Sequence, residues 1–255
     1  MATLSVVIVA KNEERIIGRT LDAVRDIADE ILVVDSGSED KTIEISTSKG
    51  ARVVHQDWLG YAGQKNFALS LAKSDWLLSL DADEVLTPES VAEIKAIVSG
   101  ETTGKCDGYK IPRILYIGEH PVRHGGFYPD AQLRLIQNGK GKFRDRMVHE
   151  RIFVDGPVAV LRHPMLHYSY RNVDEFTKAM DKYARLSAEE FKQDGSKKWR
   201  ANPLNELLHP MWTFFARYVL RLGFLDGKLG LEMNLIYSNY VRNKIRYLRE
   251  SEGAF

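Results

Sequence analysis

Short apolar runs alternate with stretches of helical spacing in the first hundred residues. Continuous apolar runs rich in β-branched residues predict strands that are buried on both faces. The runs at 4–10 and 31–35 are of this kind, and we predict a shorter third strand at 51–54 and a fourth at 76–80. Ile17, Leu21, Val24 and Ala28 recur at helical spacing, residues 61–72 are helix-like, and Thr87-Pro88 predicts the start of another helix. Strands separated by helices predict a parallel sheet with right-handed crossovers.

The pattern changes after residue 108. Short β-like pieces at 109–117, 132–136 and 150–154 are separated by Gly, Pro and Asn turns. From residue 173 onward the chain predicts helices at roughly 173–193, 204–222 and 229–249, with breaks at Asp194-Gly195-Ser196 and Asn202-Pro203. We therefore predict an α/β domain over residues 1–170, with a mixed β extension, and a helical region over residues 171–255.

The single cysteine, Cys106, excludes an intramolecular disulfide and a multi-cysteine zinc site. Nothing in the composition requires an oxidising compartment, so we expect a cytoplasmic protein. The first ten residues are apolar but carry no basic leader, and we do not interpret them as a signal peptide.

Positive charge is concentrated near the C-terminus. Residues 196–249 contain ten Lys or Arg and three acidic residues, a net charge of +7, within a chain whose net charge is +1. Within this region, residues 211–225 are apolar and aromatic, but too short and too charged for a membrane span, which needs about 20 apolar residues. We interpret this stretch as an interfacial helix, with its arginines and those of the last helix at anionic headgroups. The alternatives are a solvated basic face and a helical hairpin buried against the core or a second subunit.

An acidic motif, Asp81-Ala82-Asp83, directly follows the apolar strand WLLSL. Ligands of open parallel sheets bind beyond the carboxyl ends of the strands. Two carboxylates in this position suit Mg²⁺ or Mn²⁺ and the phosphates of a nucleotide. Acidic turns after strands are also common, so this motif alone leaves both interpretations open.

Four motifs occur in order: VVIVAKNEE, ILVVDSGSEDKT, GYAGQKNFAL and LLSLDADE. Together they resemble the family 2 glycosyltransferases of the GT-A fold over residues 3–100. The later motifs GFYPDAQLRL, MVHE, HYSY and RLGFLDG resemble bacterial β-1,4-glucosyltransferase-like enzymes of lipooligosaccharide core synthesis. The resemblance implies a Rossmann-like, mostly parallel sheet flanked by helices, with a C-terminal helical extension.

The same resemblance implies a reaction and a location. It implies metal-dependent, inverting transfer of a hexose, most simply glucose, from a UDP-sugar to a lipid-linked saccharide such as lipopolysaccharide core. The enzyme would lie peripherally at the inner face of the cytoplasmic membrane, against an anionic surface, and would need no nucleic acid. The oligomeric state stays open.

Residue by residue, the resemblance implies a donor site. Asp35 would bind the uracil ring, Lys65 the base or the diphosphate, and Asp81 the ribose or a metal-bound water, while Asp83 would ligate Mn²⁺ or Mg²⁺. The segment lining the nucleobase and ribose would contain Val9, Ala10, Lys11 and Glu13. The sequence Val9-Ala10-Lys11 departs from the family's usual residues, which leaves the role of Lys11 open.

An inverting transfer needs a general base, and this family commonly uses a carboxylate. We predict Glu150, in MVHE, as this base, with Asp130 as the alternative and a surface His149-Glu150 pair as the non-catalytic interpretation. By resemblance, His167 is the further metal ligand, with His163 and His149 as substitutes. Arg123 and Arg134 are either phosphate-binding or ordinary surface arginines, and His120 and His124 flank a loop that could close over donor or acceptor.

Other enzyme classes fit less well. The chain lacks the G-x-G-x-x-G of dinucleotide-binding dehydrogenases and the G-x-x-x-x-G-K-[ST] phosphate loop. Neighbouring Asp81 and Asp83 do not suit a glycoside hydrolase, which needs an acid and a base on opposite sides of one bond. A sugar nucleotidyltransferase and a catalytically silent nucleotide- or glycan-binding protein at the membrane surface remain as alternatives.

Overall fold

The computed structural model describes residues 2–101, 106–144, 151–193 and 202–251. The chain folds as two compact units. The first contains Met1–Ile114 and Asp130–Tyr168, and the second contains Leu115–Pro129 and Ser169–Phe255. The longer segment of the second unit begins at Ser169, and its shorter segment comes from the middle of the chain.

A seven-stranded sheet forms the centre of the first unit. Its strands, in chain order, are β1 (Leu4–Ala10), β2 (Glu30–Asp35), β3 (Arg52–His55), β4 (Trp76–Asp81), β6 (Gly108–Ile111), β9 (Gln132–Gln137) and β12 (Val158–Val160). The spatial order is β12-β6-β9-β4-β1-β2-β3. Strands β1 to β4 are parallel, and β9 is antiparallel to both β4 and β6. The expected mostly parallel sheet is therefore confirmed, with one antiparallel strand within it.

Helices flank this sheet: α1 (Ile17–Val24), α2 (Thr42–Ser48), α3 (Tyr61–Leu71) and α4 (Pro88–Val98). Helix α4 begins as predicted, because the Thr87 side chain accepts a hydrogen bond from the Ser90 backbone N–H at 3.2 Å. The sequence pattern did not reveal α2. Its buried positions are Thr42 and Ser46, which are small and polar, so its apolar periodicity is weak.

Strand β1 is buried on both faces. Val6 and Ile8 pack into one hydrophobic cluster, and Val7 packs into another. Alternate residues of a strand point to opposite faces of the sheet, so a strand covered on both sides needs apolar residues throughout. This is why the continuous apolar run identified β1.

Shorter strands complete the first unit. Strand β5 (Glu84–Leu86) pairs antiparallel with β13 (Met165–Tyr170), and β10 (Gly141–Arg144) pairs antiparallel with β11 (Arg151–Val154). The predicted strand at 109–117 is two strands, β6 and β7 (Arg113–Ile117). Pro112 separates them, since proline has no N–H to continue the ladder.

The second unit is mainly helical. It contains α5 (Val173–Gln193), α6 (Pro203–Phe215) and α7 (Gly227–Ser251), together with the hairpin of β7 with β8 (His120–Val122). Helix α6 ends earlier than predicted, and the chain continues as a π-helical turn, Ala216–Leu220. Among the residues that the structure describes, no helix combines the length and the apolarity needed to cross a membrane.

Candidate functional site

The turn after β2 is held by Asp35. Its Oδ2 accepts hydrogen bonds from the backbone N–H groups of Gly37 at 2.8 Å and Ser38 at 2.9 Å, and its Oδ1 accepts one from the Ser38 hydroxyl. Asp35 is fully buried. Its observed contacts therefore fix the backbone of this turn, and its predicted contact with a uracil ring remains a prediction.

The loop after β1 is tied to the loop after β2. The backbone N–H of Asn12 donates to Ser38 Oγ at 2.9 Å, and Asn12 Oδ1 accepts from the Glu39 N–H at 2.9 Å. Asn12 has a φ of 56°, a left-handed conformation that asparagine tolerates better than most residues. The Glu13 N–H donates to Thr42 Oγ1 at 2.7 Å. The two loops are thus a single preformed edge at the carboxyl ends of β1 and β2.

The four residues predicted to line the nucleobase lie on this edge but differ in exposure. Ala10 is buried, Val9 and Glu13 are half-buried, and Lys11 is exposed. Lys11 is therefore accessible to a ligand, whereas Ala10 can contribute only its backbone surface.

Gln64 joins three segments around this edge, and sequence reasoning did not single it out. Its Nε2 donates to Ser36 Oγ and to the Gln56 carbonyl oxygen, both at 3.0 Å, and its Oε1 accepts from the Leu59 N–H at 3.2 Å. Gln64 is fully buried. A buried amide that satisfies donors and acceptors on separate loops restricts their movement. Its place in the motif GYAGQKNFAL was the available signal.

Asp81 lies between two cations. Lys65 Nζ is 2.6 Å from Asp81 Oδ1, and Arg134 Nη2 is 2.6 Å from Asp81 Oδ2. Arg134 is 6% exposed, so it is not an ordinary surface arginine. Burial raises the pKa of Asp81, but the charges of Arg134 and Lys65 outweigh that effect and hold the pKa well below its usual range. Asp81 is thus a carboxylate at physiological pH.

A second carboxylate, Glu84, is also part of this network. It is fully buried, and its Oε1 accepts from Arg134 Nη2 at 2.6 Å and from Arg113 Nη1 at 3.0 Å. Its Oε2 accepts the backbone N–H of Asp81 at 3.1 Å. Sequence reasoning missed this role, although Glu84 directly follows the Asp81-Ala82-Asp83 motif. Glu84 fixes both the backbone of that motif and the arginine that contacts Asp81.

Arg113 joins Glu84 to Asp130. Its Nη2 contacts Asp130 Oδ2, and its Nε donates to the same oxygen at 3.1 Å. Burial raises the pKa of Asp130, but the Arg113 charge and hydrogen bonds outweigh this and lower the pKa. A lowered pKa makes a carboxylate a weaker proton acceptor, which disfavours Asp130 as the general base.

Asp83 and His167 are neighbours across two strands. In the ladder of β5 and β13, His167 is opposite Glu84, and the Tyr168 N–H donates to the Asp83 carbonyl oxygen at 2.9 Å. His167 Nε2 consequently lies 3.3 Å from Asp83 Oδ2, with side-chain exposures of 15% and 20%. Burial raises the pKa of Asp83, but His167 outweighs burial and lowers it.

Side chains of helix α1 form hydrogen bonds both to the acidic motif and to the strand that carries His167. Thr20 Oγ1 donates to the Ala82 carbonyl oxygen at 2.7 Å. Arg19 Nη2 donates to the Tyr168 hydroxyl at 2.8 Å, and its guanidinium carbon lies 4.2 Å from the centre of the Tyr168 ring. Both the acidic turn and the strand that carries His167 are therefore anchored to one helix.

Glu150, the predicted base, and His149 lie outside the described residues. His163 is exposed, and its backbone N–H donates to Glu93 Oε2 at 3.1 Å. Of the histidines proposed as metal ligands, His167 is the one that the described structure places beside Asp83.

The donor atoms of Asp83 and His167 suit a divalent cation. One carboxylate oxygen and one imidazole nitrogen match the preferences of Mn²⁺, and sites of this kind are completed by substrate phosphates and water. Within the described ranges, no group of three or more His, Cys, Asp or Glu could hold a metal ion without such additional ligands. The pair thus fits a cation shared with a diphosphate rather than a closed protein cage.

In the second unit, one of the arginines expected at the surface is buried. Arg217 is 7% exposed, so its side chain is buried, whereas the prediction placed it on the surface of an interfacial helix. Arg242 and Arg249 approach Glu206 at 3.8 and 2.9 Å. Many large apolar side chains of this unit are instead exposed, namely Leu204, Leu207, Leu208, Met211, Trp212, Phe215, Val219, Leu220, Leu222, Phe224 and Leu225. The accessible surface of α6 and the turns after it is therefore more apolar than cationic.

Sequence comparisons identify relatives along almost the whole chain. The family model described as Glycosyl transferase family 2 matches residues 5–153. The lipopolysaccharide core biosynthesis glycosyltransferase LpsC of Rhizobium meliloti is 32% identical over 260 residues, covering 95% of this chain and 91% of the relative. An uncharacterized glycosyltransferase of Rickettsia bellii is 30% identical over 257 residues, covering 97% of this chain and 86% of the relative.

Among solved structures, one similar chain is glucosyl-3-phosphoglycerate synthase of Mycobacterium tuberculosis, solved with Mn²⁺, UDP-glucose and phosphoglyceric acid. It is 26% identical, with a TM-score of 0.38, and the match covers 45% of this chain and 44% of that one. The sequence matches extend over far more of the chain than this structural match does. On the family model and the relatives at 30% identity or above, this chain belongs to glycosyl transferase family 2.

Proposed function

We propose that this glycosyltransferase transfers a hexose, specifically glucose, from a UDP-sugar to a lipid-linked saccharide such as lipopolysaccharide core, with inversion at the anomeric carbon. The observation that carries the proposal is that Asp81 at the end of β4, Asp83 two residues later and His167 on β13 lie together, beside the preformed loops that follow β1 and β2. This is the edge of a parallel sheet where ligands bind.

The donor nucleotide occupies the edge formed by the loops at 9–13 and 35–38. We assign Asp35, which holds the backbone of the loop at 35–38, to the uracil N–H, and Lys11 offers an exposed cation. Lys65 is already paired with Asp81, so its part is to hold that carboxylate in place for the ribose or a metal-bound water. A rigid set of acceptors spares the enzyme the entropic cost of ordering them when the donor binds.

Asp83 and His167, whose Oδ2 and Nε2 lie 3.3 Å apart, would hold Mn²⁺ or Mg²⁺. When bound, the metal supplies positive charge that stabilises the departing diphosphate. A metal ligand pair needs a carboxylate and a ring nitrogen that carries no proton, and Asp83, whose pKa lies below its usual range, offers an ionised oxygen at physiological pH. The backbone hydrogen bond from Tyr168 to Asp83 fixes the distance between the two ligand groups.

Glu150 acts as the general base. It takes the proton of the acceptor hydroxyl while the hydroxyl oxygen forms a bond to the anomeric carbon and the bond from that carbon to the diphosphate oxygen breaks. Attack opposite the leaving group inverts the anomeric centre, and UDP leaves with the electron pair. Asp130 is the weaker candidate because Arg113 lowers its pKa.

A lipid-linked acceptor is supported by two observations. The similar LpsC protein is named for lipopolysaccharide core biosynthesis. The helical region also exposes large apolar side chains, including Trp212 at 62%, Met211 at 61% and Leu208 at 49%. A patch of this kind is typical of membrane or partner surfaces. The enzyme accordingly works at the inner face of the cytoplasmic membrane, where such acceptors are presented.

The test is a panel of nucleotide sugars, measured for binding and slow hydrolysis with and without Mn²⁺. Wild type is compared with Asp83→Ala and with Asp57→Ala, whose side chain is 95% exposed. We expect one UDP-sugar to show metal-dependent hydrolysis that Asp83→Ala loses and Asp57→Ala keeps. Binding of no nucleotide sugar by folded protein would overturn the proposal, and UDP binding without turnover in any donor–acceptor pair would favour the silent binding protein.

A further inference from the structure

Two arginines of the second unit lie against the same glycine. A Cβ atom added to Gly126 would be 2.6 Å from Arg221 Nη1 and 3.4 Å from Arg217 Nη1. Gly126 has a φ of 76°, so this position favours glycine for its backbone conformation as well as for space. Because Gly126 has no side chain, two guanidinium groups lie close to the backbone of this loop.

Arg217 is buried and lacks an anionic partner. It is 7% exposed, and its Nε and Nη2 have no hydrogen-bond partner in the part of the chain that the structure describes. Its guanidinium carbon lies 3.8 Å from the centre of the Tyr237 ring and 4.3 Å from that of the Phe127 ring. Aromatic faces attract a cation but give its N–H groups no oxygen acceptor.

The burial of Arg217 also changes its pKa. Burial is the main cause that lowers the pKa of Arg217 to about 10; Tyr237 opposes this change, and the neighbouring charge of Arg221 contributes to it. Buried charges are normally paired, because an unpaired one is expensive to remove from water. Two adjacent guanidinium groups without a carboxylate form an environment that an anion would stabilise.

Asp226, an acidic residue that contacts this loop region, already has hydrogen-bond partners. Asp226 Oδ2 accepts from the backbone N–H groups of Arg123 and His124 at 3.0 and 2.8 Å, and its Oδ1 contacts His124 Nδ1 at 2.7 Å. These contacts hold the start of the glycine loop in place. They also leave Arg217 and Arg221 without an ion pair among the described residues.

The chain on both sides of Arg221 is apolar and exposed. Leu220 is 60% exposed, Leu222 47% and Leu225 55%. An anion bound by Arg221 would therefore meet hydrocarbon surface beside it. A soluble anion gains nothing from such surface, whereas a lipid headgroup places a phosphate next to acyl chains.

We propose that Arg217 and Arg221, gathered at Gly125-Gly126, form a binding site for a phosphate group carried on a lipid. The exposed guanidinium group of Arg221 donates paired N–H bonds to the phosphate oxygens, a geometry that favours arginine over lysine, and the buried Arg217 adds positive charge beside it. The exposed leucines on either side of Arg221 contact the lipid's hydrocarbon. All the residues of this site belong to the second unit.

The experiment measures sedimentation of full-length protein with vesicles of digalactosyl diacylglycerol, which contains no phosphate. One set contains phosphatidic acid, and a second set carries the same surface charge from oleate. The variants are Arg221→Gln and, as a matched loss of one exposed positive charge in the same unit, Lys228→Gln, whose side chain is 90% exposed. Titration with glycerol 3-phosphate in solution is the arm that detects binding of a free phosphate ester.

We expect wild type to prefer the phosphatidic acid vesicles, and Arg221→Gln to weaken that binding by about tenfold, as for loss of a charge-assisted hydrogen bond. Lys228→Gln should change it far less. The Nε–H resonance of Arg217 should shift on binding, a signal that reports the buried arginine without requiring a variant that could unfold.

Three results would overturn the proposal. Equal binding to the two vesicle types would mean that general surface charge is sufficient. Equal effects of Arg221→Gln and Lys228→Gln would mean that the arginines are not a specific site. Binding of glycerol 3-phosphate as tightly as phosphatidic acid vesicles would assign the site to soluble phosphate esters. None of these measurements needs transfer activity, so they are independent of the proposed reaction.

Discussion

The Nζ atom of Lys65 lies 2.6 Å from Oδ1 of Asp81, and this ion pair joins helix α3 to the end of strand β4. Lys65 is 10% exposed in its side chain and Asp81 is 29% exposed, so water screens the pair only in part. The contact connects two of the four ordered sequence motifs. It also leaves Asp81 in one orientation at the edge where the nucleotide is proposed to bind.

Replacing Lys65 should impair the donor site. Lys65→Met keeps much of the side-chain volume but removes the charge, leaving Asp81 with Arg134 alone. We expect kcat/KM for the UDP-sugar to fall by about tenfold or more, because a partly buried charge-assisted hydrogen bond is lost. Lys49→Met is the matched control, since Lys49 forms a 2.6 Å pair with Asp22 at a more exposed place. Equal kinetic effects of the two substitutions would contradict this role for Lys65.

The contacts of Asp81 with Arg134 and Lys65 also predict that the free energy of unfolding depends on pH. Arg134 and Lys65 lower the folded-state pKa of Asp81 below the unfolded value of about 3.9. Its contribution to stability is therefore present above that unfolded pKa and is lost as the pH falls through the folded pKa. The difference in free energy of unfolding between wild type and Asp81→Asn should be constant near neutral pH and shrink below about pH 4. Urea unfolding across this range measures it, and a difference that shrinks at a higher pH would argue against a lowered pKa.

Among the carboxylates of this network, we expect replacement of Glu84 to lower the free energy of unfolding the most. Glu84→Gln would leave Arg113 and Arg134 buried without their shared anion, and breaking a buried pair typically costs about 3–5 kcal/mol. Asp22→Asn removes one partner of an exposed pair and should cost at most about 1 kcal/mol. Urea unfolding measures both values. Similar losses for the two variants would mean that Glu84 is not the anchor of this network.

Substitutions of Glu150 and of Asp130 should reduce catalysis to different extents. Glu150→Gln should abolish most transfer while UDP-sugar binding persists, because the base acts on the acceptor and not on the donor. Asp130→Asn should retain more activity, since the lowered pKa of Asp130 makes it a poor base. Steady-state rates and donor affinities distinguish them. A larger loss of kcat in Asp130→Asn than in Glu150→Gln would exchange their assignments.

Two exposed tryptophans test the apolar surface of the helical region. Trp212 is 62% exposed in the second unit, and Trp58 is 50% exposed in the first. Trp212→Gln should reduce binding to anionic vesicles, since an aromatic side chain at a membrane interface contributes buried apolar area. Trp58→Gln should leave vesicle binding unchanged, and thermal unfolding should show that both variants fold. Wild-type protein that binds no vesicles would contradict membrane contact.

Much of the fold of the first unit could be read from local patterns. The apolar runs predicted β1, β2 and β4 because a strand covered on both faces needs apolar residues at nearly every position, and the shorter run at 51–54 predicted the edge strand β3. Thr87 and Pro88 predicted the start of α4 because capping is a local interaction. The order of four motifs indicated the family, which the comparisons confirm.

Other features depended on contacts between distant parts of the chain. Arg134 meets Asp81 across 53 residues, and His167 reaches Asp83 only because β13 pairs with β5. Helix α2 was missed because small polar side chains, not an apolar stripe, fill its buried positions. Arg217 was expected at a surface but is buried between two aromatic rings.

The sequence alone thus indicated the longer strands and helices of the chain, their order and the family, because periodicity, caps and motifs are properties of neighbouring residues. Tertiary structure decided which carboxylates share which cations, and which arginine is buried. Those choices depend on strand pairing and side-chain packing between segments far apart in the chain. Local pattern does not encode them, since the same arginine or aspartate can be solvated or buried according to what folds against it.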